Sequence, residues 1–283
     1  MKSLTNLTAE ANEIRKQDGW MELAKAGLRH TKTIRGQFRR SITIDCDNTC
    51  VTFDTTTEAA KEWFYPRYYD GSLHEPALTR RLLQELDSDS TFYDVGAHVG
   101  YFTAFGATKC TDGDVHTFEI EPRFVEAIKR TVDRNEFSVE IVQAAVSNKS
   151  GDTLSYTSSG SSTKVSDDGE PTAAESITLD DYAERHSPPD VMKVDVEGYE
   201  YNVLQGAEGL LKNGHPDVLF LEIHPENLQE YGVEPKDIAT LLERHGYDWV
   251  NFDHRVDDSK VQRNMMEDLS TNTMYMIWNN MLC

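Results

Sequence analysis

The sequence is 283 residues long, with 28 Lys and Arg against 49 Asp and Glu, a formal net charge of -21. That length suits one large α/β core, alone or with a small appendage. No apolar run approaches the roughly 20 residues of a membrane helix, the opening MKSLTNLTAEANEIRK lacks a signal-peptide core, and no basic footprint for nucleic acid is present. A soluble, cytoplasmic protein with no nucleic-acid or membrane partner is therefore expected.

The acids are spread along the chain rather than gathered in a tail. Repulsion across such a surface is relieved by salt, since the Debye length falls to about 3 Å at 1 M. A halophile-like protein is the first reading, and an ordinary acidic protein the second. The four cysteines, Cys46, Cys50, Cys110 and Cys283, have no metal-type spacing. Cys46 and Cys50 flank a turn, either facing each other or, as a cytoplasm favours, as free thiols.

In chain order, residues 1 to about 40 read as helix, and SITIDCDNTCVTFDT (41–55) as a β-hairpin turning at Asp47-Asn48. A helix is expected in PALTRRLLQEL. From residue 91 strands and helices alternate. TFYDV, DVHTFEI, VEIVQAAV, DVMKVDV and DVLFLEI read as strands, with amphipathic runs between them. Pro122 and Asn135 bracket a helix with Val125, Ile128 and Val132 on one face. Val203, Ala207, Leu210 and Leu211 form the stripe of a second helix that stops at Gly214, and Pro235 and Gly246 bracket a third. Ser/Thr/Gly-rich residues 155–176 read as a loop, either a substrate lid or a solvated excursion. YDWVNFD and TNTMYMIWNN add two strands, so the fold class is a doubly wound α/β sheet closed by an antiparallel pair. The domain reading is an N-terminal helix-and-hairpin extension, 1–72, and a main domain, 73–283.

The stretch FYDVGAHVGYFTAFGA runs from a strand through a glycine turn into a helix. A dinucleotide turn needs Gly in the second slot of G-x-G-x-x-G, and here that slot is His98. Asp94 at the strand tip would repel a diphosphate. It would suit the sulfonium and ammonium of S-adenosylmethionine, whose carboxylate fits helix N–H groups. A lone Asp can equally be a helix cap. Glu119, closing the second strand a little over 20 residues after Gly96, is placed to grip ribose hydroxyls.

FYDVGAHVGYFT, VHTFEIEP, AAVSNKSG, ITLDDY, MKVDVEGYEYNVLQGA and LFLEIHPE, over about residues 73 to 225, together resemble the FkbM family of S-adenosylmethionine-dependent methyltransferases. The block Lys193 to Glu200 is the most specific part of the match. The resemblance implies a class I methyltransferase fold, a seven-stranded Rossmann-like sheet with one antiparallel strand. It implies methylation of a hydroxyl on a sugar, glycan or small metabolite. It also implies cofactor contacts from Asp94, Gly96 and Gly100, the ribose acid Glu119, an adenine contact near Ala145, and a further acid, Glu75. His98 stands where the family commonly has Asn.

Asp195 and Glu197 leave one strand and Glu222 and His224 leave its neighbour, so they should gather beside the methyl group. Methyl transfer to an alcohol needs alignment and a base or a metal to ready the hydroxyl. His224 is expected as a direct base, oriented by Glu222 or Asp195. A magnesium ion held by Asp195, Glu222 and His224 is the alternative and the less favoured one. Glu200 reads as a helix N-terminal acid, and Lys193 as a polar contact without chemistry. An NAD-type oxidoreductase and a non-catalytic module keeping the same fold are the competing functions.

Overall fold

Short runs buried at every position, each mostly apolar with one ionisable residue, make the centre of the sheet: β3 (Phe92–Val95), β4 (Val115–Phe118) and β10 (Val191–Val194). That is the pattern of parallel strands covered on both faces. The computed structural model describes residues 39–159, 162–165, 172–252, 254–255 and 273–279. The helix expected over the first 40 residues and Cys283 lie outside the described residues.

Numbering all strands in chain order, the hairpin is β1 (Ser41–Cys46) and β2 (Thr49–Asp54). After β4 come β5 (Glu140–Val142), β6 (Ala145–Val146), β7 (Thr153–Ser159), β8 (Ser162–Val165) and β9 (Thr172–Ile177). After β10 come β11 (Val218–Ile223), β12 (Tyr247–Phe252) and β13 (Thr273–Asn279). The main sheet has seven strands in the order β12-β13-β11-β10-β3-β4-β5. Pairing is parallel from β11 to β5, and β13 runs antiparallel to both β11 and β12.

The final two strands thus do form an antiparallel pair, but β13 enters between β11 and β12 rather than at the edge. The chain runs outward from β3 through β4 to β5, then returns to place β10 on the other side of β3. The strand order therefore reverses between β3 and β10, the place where open α/β sheets bind ligands.

Alternation divides the core between two faces. Phe92, Val191 and Phe220 pack with the hairpin, with the helix Pro76–Glu85 and with the helix Tyr101–Lys109. Tyr93, Val95, Met192, Val194, Leu219 and Leu221 pack with Val203, Leu204, Leu210, Leu211, Ile238 and Leu242 of the helices on the opposite face. The helix bracketed by Pro122 and Asn135 has those bounds, with Val125, Ile128 and Val132 buried. The next expected helix is two short ones, Glu200–Gln205 and Glu208–Lys212. A Cβ at Gly206 would stand 2.0 Å from the Ser147 carbonyl oxygen, so this break seats the chain after β6.

Two expectations change. The described residues among 155–176 are strand: β7 and β8 form a hairpin, β9 pairs with β7, and β6 joins β9 in a second sheet. Thr153, Tyr156, Thr157 and Thr163 supply β character for this pairing. In the β1–β2 hairpin Cys46 stands opposite Thr49 and Asp45 opposite Cys50, so the two thiols do not face each other. Cys50 and Cys110 are free thiols.

Candidate active site

Gly96 ends β3, and its N–H, with that of Ala97, donates to the Phe118 carbonyl at the end of β4, at 3.0 and 3.2 Å. A Cβ at Gly96 would lie 1.9 Å from the Asp195 carbonyl oxygen, and its φ is +78°. The glycine therefore allows the exits of β3 and β10 to close on each other. Gly100, also at φ +78°, precedes the helix Tyr101–Lys109 and abuts Ile128. Both glycines serve the turn's own packing, and Gly100 lies outside the cavity lining.

The cavity at this switch point holds about 390 Å³ and is lined by Gly96, His98, Glu119 and Ala145 and by an acidic group, Glu75, Asp195, Glu197 and Glu222, with His224. Nine of the eleven residues singled out in the sequence meet there. Asp94 does not. It is fully buried, accepts from the Thr103 hydroxyl at 2.6 Å, and lies close enough to Lys193 for the two charges to favour each other. Burial nevertheless raises its pKa. The expected open counter-charge for a sulfonium is corrected to an internal tie between β3, its helix and β10.

Glu119 is 6% exposed. Its carboxylate accepts from the backbone N–H of His98 at 2.7 Å and of Glu121 at 2.9 Å. Burial pushes it up to about 7 against these bonds. Each carboxylate oxygen offers two lone pairs, so a ribose diol fits what remains. His98 takes φ +54°, a conformation Asn adopts more easily than His. Its ring sits against Trp63 and Phe124, with centroids 4.3 and 4.0 Å away. Burial drops its pKa to about 3, so it is neutral.

The acidic group follows from register. Lys193 pairs with Asp94 on one side and Phe220 on the other, and Val194 pairs with Leu221. One step further, Asp195 comes level with Glu222. Residues 193 and 195 share a side, as do 222 and 224. Lys193 is buried and reaches Asp195 Oδ2 at 3.3 Å, and Asp195 stays below the usual carboxylate range because Lys193 and His224 outweigh its burial.

His224 lies at the centre. Its Nδ1 meets Glu200 Oε1 at 2.7 Å, and its Nε2 faces Glu197, Glu222 and Asp195 at 3.7, 3.9 and 4.0 Å. Burial alone would lower its pKa. The Glu200 hydrogen bond and the charges of Asp195, Glu200 and Glu222 overcome that and lift it to about 9. This corrects the expectation of a ready base: without another cation the imidazole is already protonated at neutral pH. Burial, with Asp195, raises Glu222 to about 7. Burial, with Glu222 and Asp195, raises Glu75 to about 8, and burial raises Glu197.

Sequence reasoning missed several lining residues. Trp63 comes from the short helical segment Ala60–Phe64 after the hairpin, His74 precedes the helix Pro76–Glu85, and Arg255, after β12, places Nη2 3.0 Å from Glu222 Oε1. Lys193 also lines the cavity. Glu200 is more than a helix-end acid, being fully buried against His224 and holding the Gly198 N–H at 2.8 Å. Only the i, i+2 spacing of Lys193 and Asp195 hinted at any of this. Thr163 and Val165 of β8 cover the cavity, and Lys164 fastens that hairpin to Asn227 Oδ1 at 2.7 Å.

A seven-stranded sheet with one antiparallel strand, a glycine turn at its switch point and an acid closing the neighbouring strand define a class I S-adenosylmethionine-dependent methyltransferase. The model of the methyltransferase FkbM domain matches residues 94–249, and the chain belongs to the FkbM methyltransferase family. The hexuronic acid methyltransferase AglP of Haloferax volcanii is 32% identical over 174 residues, which cover 59% of this chain and 67% of that protein. Among solved structures, methyltransferase FkbM from Methylobacillus flagellatus aligns with 13% identity and a TM-score of 0.45, covering 90% of this chain and 59% of that one. A precorrin-6Y C5,15-methyltransferase from Geobacter metallireducens aligns with 16% identity and a TM-score of 0.43, covering 72% and 88%.

Proposed function

We propose that this enzyme methylates an oxygen of a sugar-type acceptor, with a glycan carrying a hexuronic acid as the first candidate. The observation that carries this reading is one cavity lined by two sets of residues. Gly96, His98, Glu119 and Ala145 suit S-adenosylmethionine, which supplies an electrophilic methyl group. Asp195, Glu197, Glu222 and His224 suit the readying of an oxygen. The substrate of the haloarchaeal relative supplies the acceptor class.

In this reading Glu119 holds the ribose and the backbone of the 96–98 turn approaches the methionine part. Ala145, nearly buried at the start of β6, contacts the adenine. The acceptor oxygen attacks the methyl carbon in line, the carbon–sulfur bond breaks with its electron pair going to sulfur, and a hydroxyl proton passes to the acidic group. His224 can take that proton only in its neutral form. Residues 39–72, through Trp63, and the β7–β8 hairpin form the acceptor side, with 1–72 acting as a cap on the 73–283 methyltransferase domain. We assign the protein to a salt-rich cytoplasm on its charge. Among the described residues no helix is long and apolar enough to cross a membrane.

Incubation with methyl-labelled S-adenosylmethionine and a panel of neutral and uronic-acid glycans tests the proposal. Label is expected on an acceptor oxygen. Binding of S-adenosylhomocysteine with no label moved to any acceptor would instead favour a non-catalytic module.

A further inference from the structure

We propose that Asp195, Glu222 and His224 hold a divalent cation that receives the acceptor's oxygen, an inference that rests on the methyl-transfer reading above. One oxygen from each carboxylate and one imidazole nitrogen lie within 4.8 Å of one another. Donors each about 2.1 Å from a common ion lie at most about 4.2 Å apart, and His224 Nε2 stands 4.0 Å from Asp195 Oδ1 and 3.9 Å from Glu222 Oε1. The donors are already close to a chelating arrangement.

The imidazole gives an independent indication. His224 is 9% exposed, yet among the described residues Nε2 has no acceptor nearer than the Glu197 oxygen at 3.7 Å, beyond hydrogen-bonding distance. Its other nitrogen is fixed by Glu200, a carboxylate that is 0% exposed and itself anchored by the Gly198 N–H. A histidine that donates from one nitrogen to a buried carboxylate presents a lone pair at the other, the support commonly found behind metal-ligating histidines. Here Nε2 faces three carboxylates, Glu197, Glu222 and Asp195, and a cation held among them would take its lone pair in place of the proton.

Lys193 and Arg255 border the cluster but do not fill it. Lys193 engages the Asp195 oxygen that is not aimed at His224, and Arg255, 61% exposed at the rim, bonds Glu222 Oε1 at 3.0 Å and leaves that oxygen a second lone pair for an ion. Carboxylate oxygens with one imidazole suit manganese or magnesium, which keep bound waters that a substrate can displace. A uronic acid or a vicinal diol would supply such oxygens, and coordination would lower the pKa of the hydroxyl. The cavity would then accept an acidic sugar despite its own five carboxylates.

The test uses the full chain in high KCl after EDTA treatment, titrated with Mn2+ and read by the free-ion electron paramagnetic resonance signal. One saturable site per chain is expected. Asp195→Asn and Glu222→Gln should each abolish it, and Glu200→Gln, changing a positioning residue, should weaken it about 10-fold or more. S-adenosylhomocysteine binding by calorimetry checks that each variant is folded. No saturable Mn2+ binding overturns the proposal, as does binding indifferent to Asp195→Asn and Glu222→Gln. Binding lost in Glu75→Gln but kept in Asp195→Asn also overturns it, because that places the ion with Glu75 and His254 instead. Label transfer unchanged in EDTA overturns the cation's role and leaves the methyltransferase reading standing. Site-specific Mn2+ binding with no transfer to any acceptor sinks the acceptor reading and leaves the site.

Discussion

Glu119 carries two backbone N–H bonds in a nearly buried position that pushes it up to about 7. Ribose hydroxyls donate best to the ionised form, so cofactor binding should favour it. Calorimetric affinity for S-adenosylhomocysteine is expected to fall as pH drops below about 7, where the carboxyl protonates and loses its charge-assisted bonds. In Glu119→Gln that pH dependence should flatten, and Glu119→Ala should cost on the order of 1–3 kcal/mol. A slope kept in full by Glu119→Gln would place the titrating group elsewhere in the cavity. The position of Glu119 was legible in the sequence, because a strand end is a local property. The protonation of His224 was not, since it depends on Glu200, brought to it by a different turn, and on two neighbouring strand exits. Asp94 misled for the same reason: its partners Thr103 and Lys193 come from the next helix and from β10.

Elements dock through a few polar ties as well as through the core. The β1–β2 hairpin is pinned to the helix Pro122–Asn135 by Asn135, which bonds the Thr52 N–H and carbonyl at 3.0 and 2.8 Å. Asp54, 5% exposed, meets Arg134 Nη2 at 2.5 Å and also binds the Thr56 hydroxyl and N–H. Burial would raise the Asp54 pKa, but Thr56 and Arg134 hold it below the usual range. The stabilisation is therefore present above the unfolded value of about 4 and is lost as pH falls through the folded one. Asp54→Asn is expected to lower stability by about 1–3 kcal/mol at neutral pH, with the denaturation curves of variant and parent converging in acid. Curves that stay parallel down to pH ~2 would assign the loss to packing rather than charge. The hairpin was readable from alternation and its Asp-Asn turn. Its docking partner was not, and neither was the strand content of 155–176, because those residues pair with each other and with β6 across the chain.

At the scale of the whole molecule a charge of -21 acts on every surface at once. If it marks a protein suited to high salt, the thermal midpoint should rise strongly from low salt to about 1 M KCl as repulsion is screened. A flat or falling midpoint in a scanning measurement would place it with ordinary acidic proteins. Composition, the strand–helix alternation, the glycine turn and the order of motifs are all properties of the chain taken locally. By themselves they determined the α/β class and the family. Tertiary structure alone decided that β13 enters between β11 and β12 and that Gly96 is required by the Asp195 carbonyl. It also decided that four carboxylates converge on one imidazole. Each of these depends on which strands become neighbours and in what register, and a one-residue slip would send every side chain to the opposite face.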